Sequence, residues 1–215
     1  DTNATDVGDL TSTRRDVGTT SSETHGFVHS GQSVNTIERW IYAASANSVD
    51  VGDLTIAVGG SDGSSDPDGG YGYSHGGWYN SAKSNVIERY AFAASANGSD
   101  VGDLAFASGQ VGSNSSLTHG YSHGTGEASI GNYIQKFAFA ASATGTDVGD
   151  LTTNVFVSCG VSATSYSYRM GGCNPNGGVG VNTIDKWPHA SDTNATDVGD
   201  LTITHGYCGP SGCQY

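Results

Sequence analysis

Asp6-Val7-Gly8-Asp9-Leu10 returns unchanged at 50–54, 100–104, 147–151 and 197–201, its Val-Gly-Asp-Leu core recurring after 44, 50, 47 and 50 residues. A period of this size marks one supersecondary unit that buries its apolar face against the next copy. The units read 7–50, 51–100, 101–147 and 148–197, with a partial unit 198–215 that residues 1–6 complete within a single repeat domain. Asp1–Thr11 is identical to Asp192–Thr202.

Working outward from Asp-Leu, each unit carries the same landmarks. A short Ser/Thr/Gly-rich strand comes first, then an aromatic, glycine-rich one: Thr24-His25-Gly26-Phe27, Gly70-Tyr71-Gly72-Tyr73, Thr118-His119-Gly120-Tyr121, Ser165-Tyr166-Ser167-Tyr168 and Thr204-His205-Gly206-Tyr207. Paired glycines such as Gly76-Gly77 and Gly171-Gly172 then supply a turn with positive φ. The third strand is Asn35–Trp40, Asn85–Tyr90, Asn132–Phe137 and Asn182–Trp187. Its Ile and its aromatic stand three apart, so strict alternation cannot place both on one face. The strand is expected to be covered on both sides or to carry a bulge. An Ala-Ser-Ala-Asn-type segment leads back to Asp-Val-Gly-Asp-Leu, where Asx and Gly suit a turn feeding an outer strand. The fold class is therefore all-β, about four short strands per unit.

Double glycine, an Asn-x-Ile/Val-Glu-x-aromatic strand and a small-residue turn resemble the kelch repeat of β-propellers. The wording Ile-Glu-Arg-Tyr, Phe-Ala-Ala-Ser, Asp-Val-Gly-Asp-Leu-Thr and Thr-His-Gly-Tyr is similar to kelch-like repeats in virion structural proteins of marine bacteriophages. The resemblance implies a five-bladed propeller whose N- and C-terminal segments close one blade, a sealing that leaves no free sheet edge. An open array borrowing strands from a neighbouring subunit is the alternative. It further implies a non-enzymatic module of a virion (tail, fibre or capsid appendage) or extracellular surface, serving assembly or host attachment. Its partners would be other virion or surface proteins, and association with further copies is open. A secreted lectin or adhesin is the second reading, and a propeller enzyme ranks last.

Charge narrows the partners. Acidic residues outnumber basic ones 21 to 8, a net charge of −13 that repels nucleic-acid phosphates and anionic lipid. No apolar run is long enough to span a bilayer, and no basic-then-apolar leader precedes Asp1, so a soluble chain, complete or already processed, is expected. The four cysteines fit no common zinc spacing. Pairing of Cys159 with Cys173 and of Cys208 with Cys213 is the simplest expectation, against free thiols or cross-pairing, and would place the protein in an oxidising compartment.

Several residues are candidates for chemistry. His25, His119 and His205 share one repeat position and His29, His75 and His123 another. A ring of imidazoles would suit a transition metal, yet a repeat copies whatever it contains, and Tyr71, Tyr166 and Met170 interrupt the series. Asp62, Asp66 and Asp68, in an acidic stretch at 61–70, offer oxygens to calcium or form a solvated turn. No other cofactor is implied. The five Asp pairs of the repeat word point to turn capping, because a catalytic pair is needed only once. Trp40 and Trp187 share a repeat position and read as core. Trp78 has no repeat counterpart, so Trp78 and Tyr79 are the candidates for stacking on a sugar ring. Asn3, Asn97, Asn114 and Asn194 lie in glycosylation sequons.

Overall fold

The computed structural model describes residues 3–32, 34–66, 68–125, 131–139, 142–176 and 178–207. Every element among them is a strand. The first sheet runs in chain order: β1 (Gly18–Ser21), β2 (His25–His29), β3 (Thr36–Ile41) and β4 (Val49–Asp53). The second holds β5 (Asp62–Asp66), β6 (Tyr71–His75), β8 (Ala82–Ala91) and β9 (Ser99–Ser108), with β7 (Trp78–Tyr79) as a short hairpin arm on β8. The third is β10 (Gly112–Ser115), β11 (His119–His123), β12 (Tyr133–Ala138) and β14 (Thr146–Asp150); β13 (Ala143–Thr144) crosses back to pair in parallel with β9. The fourth is β15 (Cys159–Ser162), β16 (Tyr166–Met170), β17 (Val181–Pro188) and β18 (Thr196–His205).

Two expectations need correcting. The described residues form four such sheets, not five, and residues 3–11 lie against the first sheet rather than completing the last. The repeat word is also not a turn before an outer strand but lies in that strand, so each sheet ends inside the next sequence unit. Its valine forms a bulge: Ile37 pairs with Gly52 while Glu38 pairs with Asp50, and the same slip recurs at Ile87/Glu88, Ile134/Gln135 and Ile184/Asp185. Adjacent Ile37 and Glu38 are both fully buried, so the third strand is covered on both faces as well.

The innermost strands explain the Ser/Gly bias. β5 packs between β1 and β10, and β10 against β15. Their backbones come so close that a Cβ on Gly63 would lie 2.2 Å from the Thr19 carbonyl oxygen, and one on Gly160 would lie 1.9 Å from that of Ser113. Only glycine fits such an approach. Serine hydroxyls then tie sheet to sheet: Ser21 N–H donates to Ser65 Oγ, Ser65 N–H to Ser115 Oγ and Ser115 N–H to Ser162 Oγ, at 2.9–3.0 Å.

The apolar cores lie between sheets, not within them. Phe27, Ile37 and Val51 of the first sheet meet Tyr90 and Phe92 of the second. Tyr73, Ile87 and Val101 meet Phe137. Tyr121 and Ile134 meet Trp187. Hydrogen bonds at the rim repeat with the cores. Asp9 N–H donates to Asn47 Oδ1, Asp53 N–H to Asn97 Oδ1 and Asp150 N–H to Asn194 Oδ1, at 3.0–3.1 Å. In return the N–H groups of Ser48, Gly98, Gly145 and Ala195 donate to the carbonyls of Asp9, Asp53, Asp103 and Asp150.

The cysteine pairing is not formed as expected. Cys159 stands opposite Met170 on the ladder, and Cys173, carried past the Gly171-Gly172 turn, bridges Phe156 and Gly180 instead. No disulfide joins Cys159 to Cys173. Cys208 and Cys213 lie outside the described residues. The argument for an oxidising compartment loses this support.

The glycine of the repeat word is the most demanding position in the rim. Gly52 has φ +148, and a Cβ there would lie 2.5 Å from the Ala96 carbonyl oxygen. Gly52→Ala should therefore cost about 3 kcal/mol from backbone strain and collision together. Urea unfolding monitored by tryptophan fluorescence would read this as a lowered midpoint.

Candidate functional site

The segments entering the inner strands converge at one end of the four sheets. Asp16, Gly60, Gln110 and Val157 occupy equivalent places there, all with φ between 51 and 70°. Gly60 N–H donates to the Asp16 carbonyl at 2.8 Å and Val157 N–H to that of Gln110 at 2.9 Å. Between them opens a cleft of about 730 Å³, lined by Asp16, Gln32, Gly60, Gln110 and the hairpin Trp78–Ser81. A neighbouring hollow of about 280 Å³ shares Asp16, Gly60 and Gln110 and adds Tyr207.

Trp78 and Tyr79 are brought to this mouth by local chemistry. β7 returns into β8 through the two-residue turn Asn80-Ser81, both with positive φ, the kind of turn that matches strand twist in a tight hairpin. Trp78 exchanges two backbone hydrogen bonds with Gly59, and its indole lies on Gly109, where a Cβ would come within 2.2 Å of Nε1. Lys83 Nζ sits 5.8 Å from the ring centroid. The indole stays 37 % exposed and Tyr79 42 %, facing carboxylate and amide side chains across the cleft. Asp16, Gln32, Gln110 and Tyr207 join the cleft although nothing in the sequence marks them as site residues. Asp16, Gln32 and Gln110 share no motif and Tyr207 belongs to the last Thr-His-Gly-Tyr copy, so only convergence of the sheets unites them.

The other candidates separate. Residues 62–66 form strand β5 rather than a loop, so Asp62 and Asp66 stand four strand positions apart, about 13 Å. Asp66 accepts from Gly69 N–H at 2.9 Å. With Asp68 they form no calcium cradle, and among the described residues no three His, Cys, Asp or Glu side chains converge as metal ligands. The imidazole ring fails for the same reason: His29, His75 and His123 each pack edge-on against Tyr90, Phe137 and Trp187 of the next sheet, 5.2–5.7 Å between centroids. Trp187 is core, as expected, whereas its counterpart Trp40 is only half-buried. Asn114 is fully buried, which excludes a glycan there, and Asn97 and Asn194 hold rim hydrogen bonds.

The first aspartate of each repeat word and the third-strand acids have structural partners. The first Asp of each repeat word accepts from the glycine two residues on, at Asp6, Asp50, Asp100, Asp147 and Asp197. The third-strand acid accepts from the N–H that follows Asp-Leu: Glu38 from Thr11, Glu88 from Thr55 and Asp185 from Thr152, while Gln135 accepts from Phe106, one residue further on. Burial disfavours charge on Glu38, but hydrogen bonds from Ser48 and Thr11 and the Arg14 guanidinium outweigh it and hold the carboxyl below its usual range. For Glu88 burial wins over the Thr55 and Ile56 hydrogen bonds, and its pKa is raised.

No family model matches this chain, and no curated protein matches it. Among solved structures, YjhT superposes with a TM-score of 0.75 at 7 % identity, covering 90 % of this chain and 67 % of its own. A fungal alcohol oxidase solved in complex with copper gives 0.66 at 14 %, covering 89 % of this chain and 43 % of its own. At such identities the likeness is one of fold, and it defines a β-propeller-like all-β protein.

Burial removes water from His29, His75 and His123, and neighbouring charges (His75 and Arg14 for His29; Arg169 and His75 for His123) add to it, lowering each pKa to about 3. Neither ring nitrogen of His29 has a hydrogen-bond partner among the described residues. The unfolded chain takes up protons on these rings below the ordinary value of 6.5, whereas the folded chain refuses them down to about 3. Their contribution is thus complete above 6.5 and shrinks as pH falls through that window. Urea midpoints should drop steadily from about pH 7 to about pH 4, and His75→Gln should flatten the slope.

Proposed function

We propose that this protein is a non-enzymatic, kelch-type propeller module that binds glycan in the cleft at the sheet mouth. The observation that carries the reading is the exposed Trp78–Tyr79 pair on the wall of a polar cleft of about 730 Å³. A flat aromatic face covers the apolar side of a pyranose, while Asp16, Gln32 and Gln110 offer hydrogen bonds to its hydroxyls. Exposed Tyr207 extends the same surface. A non-catalytic role is supported by the use of the first aspartate of each repeat word in turns and of the third-strand acids in sheet joints. The setting we propose, the surface of a virion or an extracellular structure where the module meets host glycan, rests on the wording of the repeats.

Screening the chain on a glycan array and titrating the best hit by calorimetry tests the reading. Trp78→Ala should weaken binding by about tenfold or more with an unchanged circular dichroism spectrum. An array without hits, or equal affinity after Trp78→Ala, sinks it.

A further inference from the structure

At the sharpest point of the four segments that enter the inner strands, the backbone calls for glycine. Asp16, Gly60, Gln110 and Val157 hold that place with φ of 56, 70, 56 and 51°. Gly60 adopts such a φ freely; a side chain there is uncommon, aspartate being better tolerated than most and a β-branched residue such as valine the outlier. Holding the segments together does not require these side chains. Gly60 N–H donates to the Asp16 carbonyl and Val157 N–H to that of Gln110, bonds that glycine would make as well. Among the described residues no hydrogen bond engages the Gln110 amide group.

The cleft gives Asp16 and Gln110 another use. They flank Gly60 from the first and third sheets, and the joints between these three sheets are closed. A Cβ on Gly60 would lie 3.2 Å from Gln110 Cγ, and one on Gly59 would lie 3.4 Å from Gln32 Cα. The middle segment is therefore a floor of bare backbone, and its neighbours supply the walls. Gly109, the residue before Gln110, seats the Trp78 indole, so the aromatic face and the Gln110 amide are fixed by the same stretch of chain.

Charge narrows the ligand. Among the described lining residues Asp16 carries the one ionised side chain. Arg15 Nε donates to Gln32 Oε1 at 2.8 Å and lies 3.9 Å from Asp16 Oδ2. A guanidinium only donates, so it draws the Gln32 oxygen to itself and leaves the amide NH2 for the cleft. Lys83 Nζ donates to Thr125 Oγ1 at 3.1 Å. What remains is two amides and a carboxylate on a protein of net charge −13, which suits hydroxyl groups and repels anions.

We infer, building on the glycan reading above, that Asp16 and Gln110 select a neutral sugar, free of carboxylate, sulfate or phosphate, by hydrogen-bonding hydroxyls of the ring that stacks on Trp78. Ligand recognition keeps these two side chains where glycine would relieve the backbone.

Calorimetry against the best neutral hit of a glycan array, with Asp16→Gly, Gln110→Gly and Val157→Gly beside the parent chain, tests this. The first two should each weaken binding by about tenfold while the urea midpoint holds or rises. Val157→Gly makes the same backbone change outside the cleft and should leave affinity as it was. Affinity should also be indifferent to salt between about 50 and 500 mM. Glycan binding that Trp78→Ala removes but neither Asp16→Gly nor Gln110→Gly changes overturns this inference and spares the glycan reading, as do hits confined to carboxylated or sulfated glycans. An equal loss in Val157→Gly, or a lowered urea midpoint in the first two variants, makes the side chains structural and overturns it as well. An array with no hit brings down both.

Discussion

The close approach of backbone to backbone between sheets is the constraint on which everything else depends. At its closest points in the inner strands, Gly63 and Gly160, it admits only glycine, and at the rim it demands a glycine with positive φ at Gly8, Gly52, Gly102 and Gly149. Because the contacts are made by peptide groups, their geometry is independent of which side chains fill the space between. The three cores therefore vary in composition, with Tyr90, Phe137 and Trp187 at one position, while the joint that frames them stays constant. Repetition here is repetition of a joint more than of a sheet.

Electrostatics follows the same plan with more freedom. The third-strand side chain accepts a backbone N–H just beyond Asp-Leu, and a carboxylate or an amide serves, since Gln135 takes the Phe106 N–H as Glu88 takes that of Ile56. Where the position carries Glu38 or Asp185, a buried arginine, Arg14 or Arg169, meets the charge. Glu88 meets the N–H groups of Thr55 and Ile56 and the Thr55 side chain but no arginine, and burial shifts it toward the neutral form. A buried charge left with one partner fewer is the costlier arrangement, so these sheets differ in pH response despite near-identical sequence.

Much of this was legible in the sequence. Strand order within a unit, the bulge or double coverage of the third strand and the structural use of the aspartates all follow from residue types that recur at fixed offsets. The number of sheets did not, because the repeat word occurs five times but lies in an outer strand only four times, its first copy resting on the first sheet without a strand of its own. The calcium reading of 61–70 failed because Asp, Gly and Ser have the composition of a loop; the axis needs the same small residues for a different reason, the crowding of backbones. Trp78 and Tyr79 stood out by lacking a counterpart, whereas Asp16 and Gln110 are joined to them only by the folding of separate units.

The placement of the cores between sheets governs how the chain can fold. A single sheet owns no interior, only half of one or two, so no unit gains stability until a neighbour has formed. The second and third sheets each share two interiors, the first and fourth one apiece. Order must therefore spread outward from the middle of the chain and retreat from its outer sheets, which makes the central pair the last part of the molecule to yield to heat or to force.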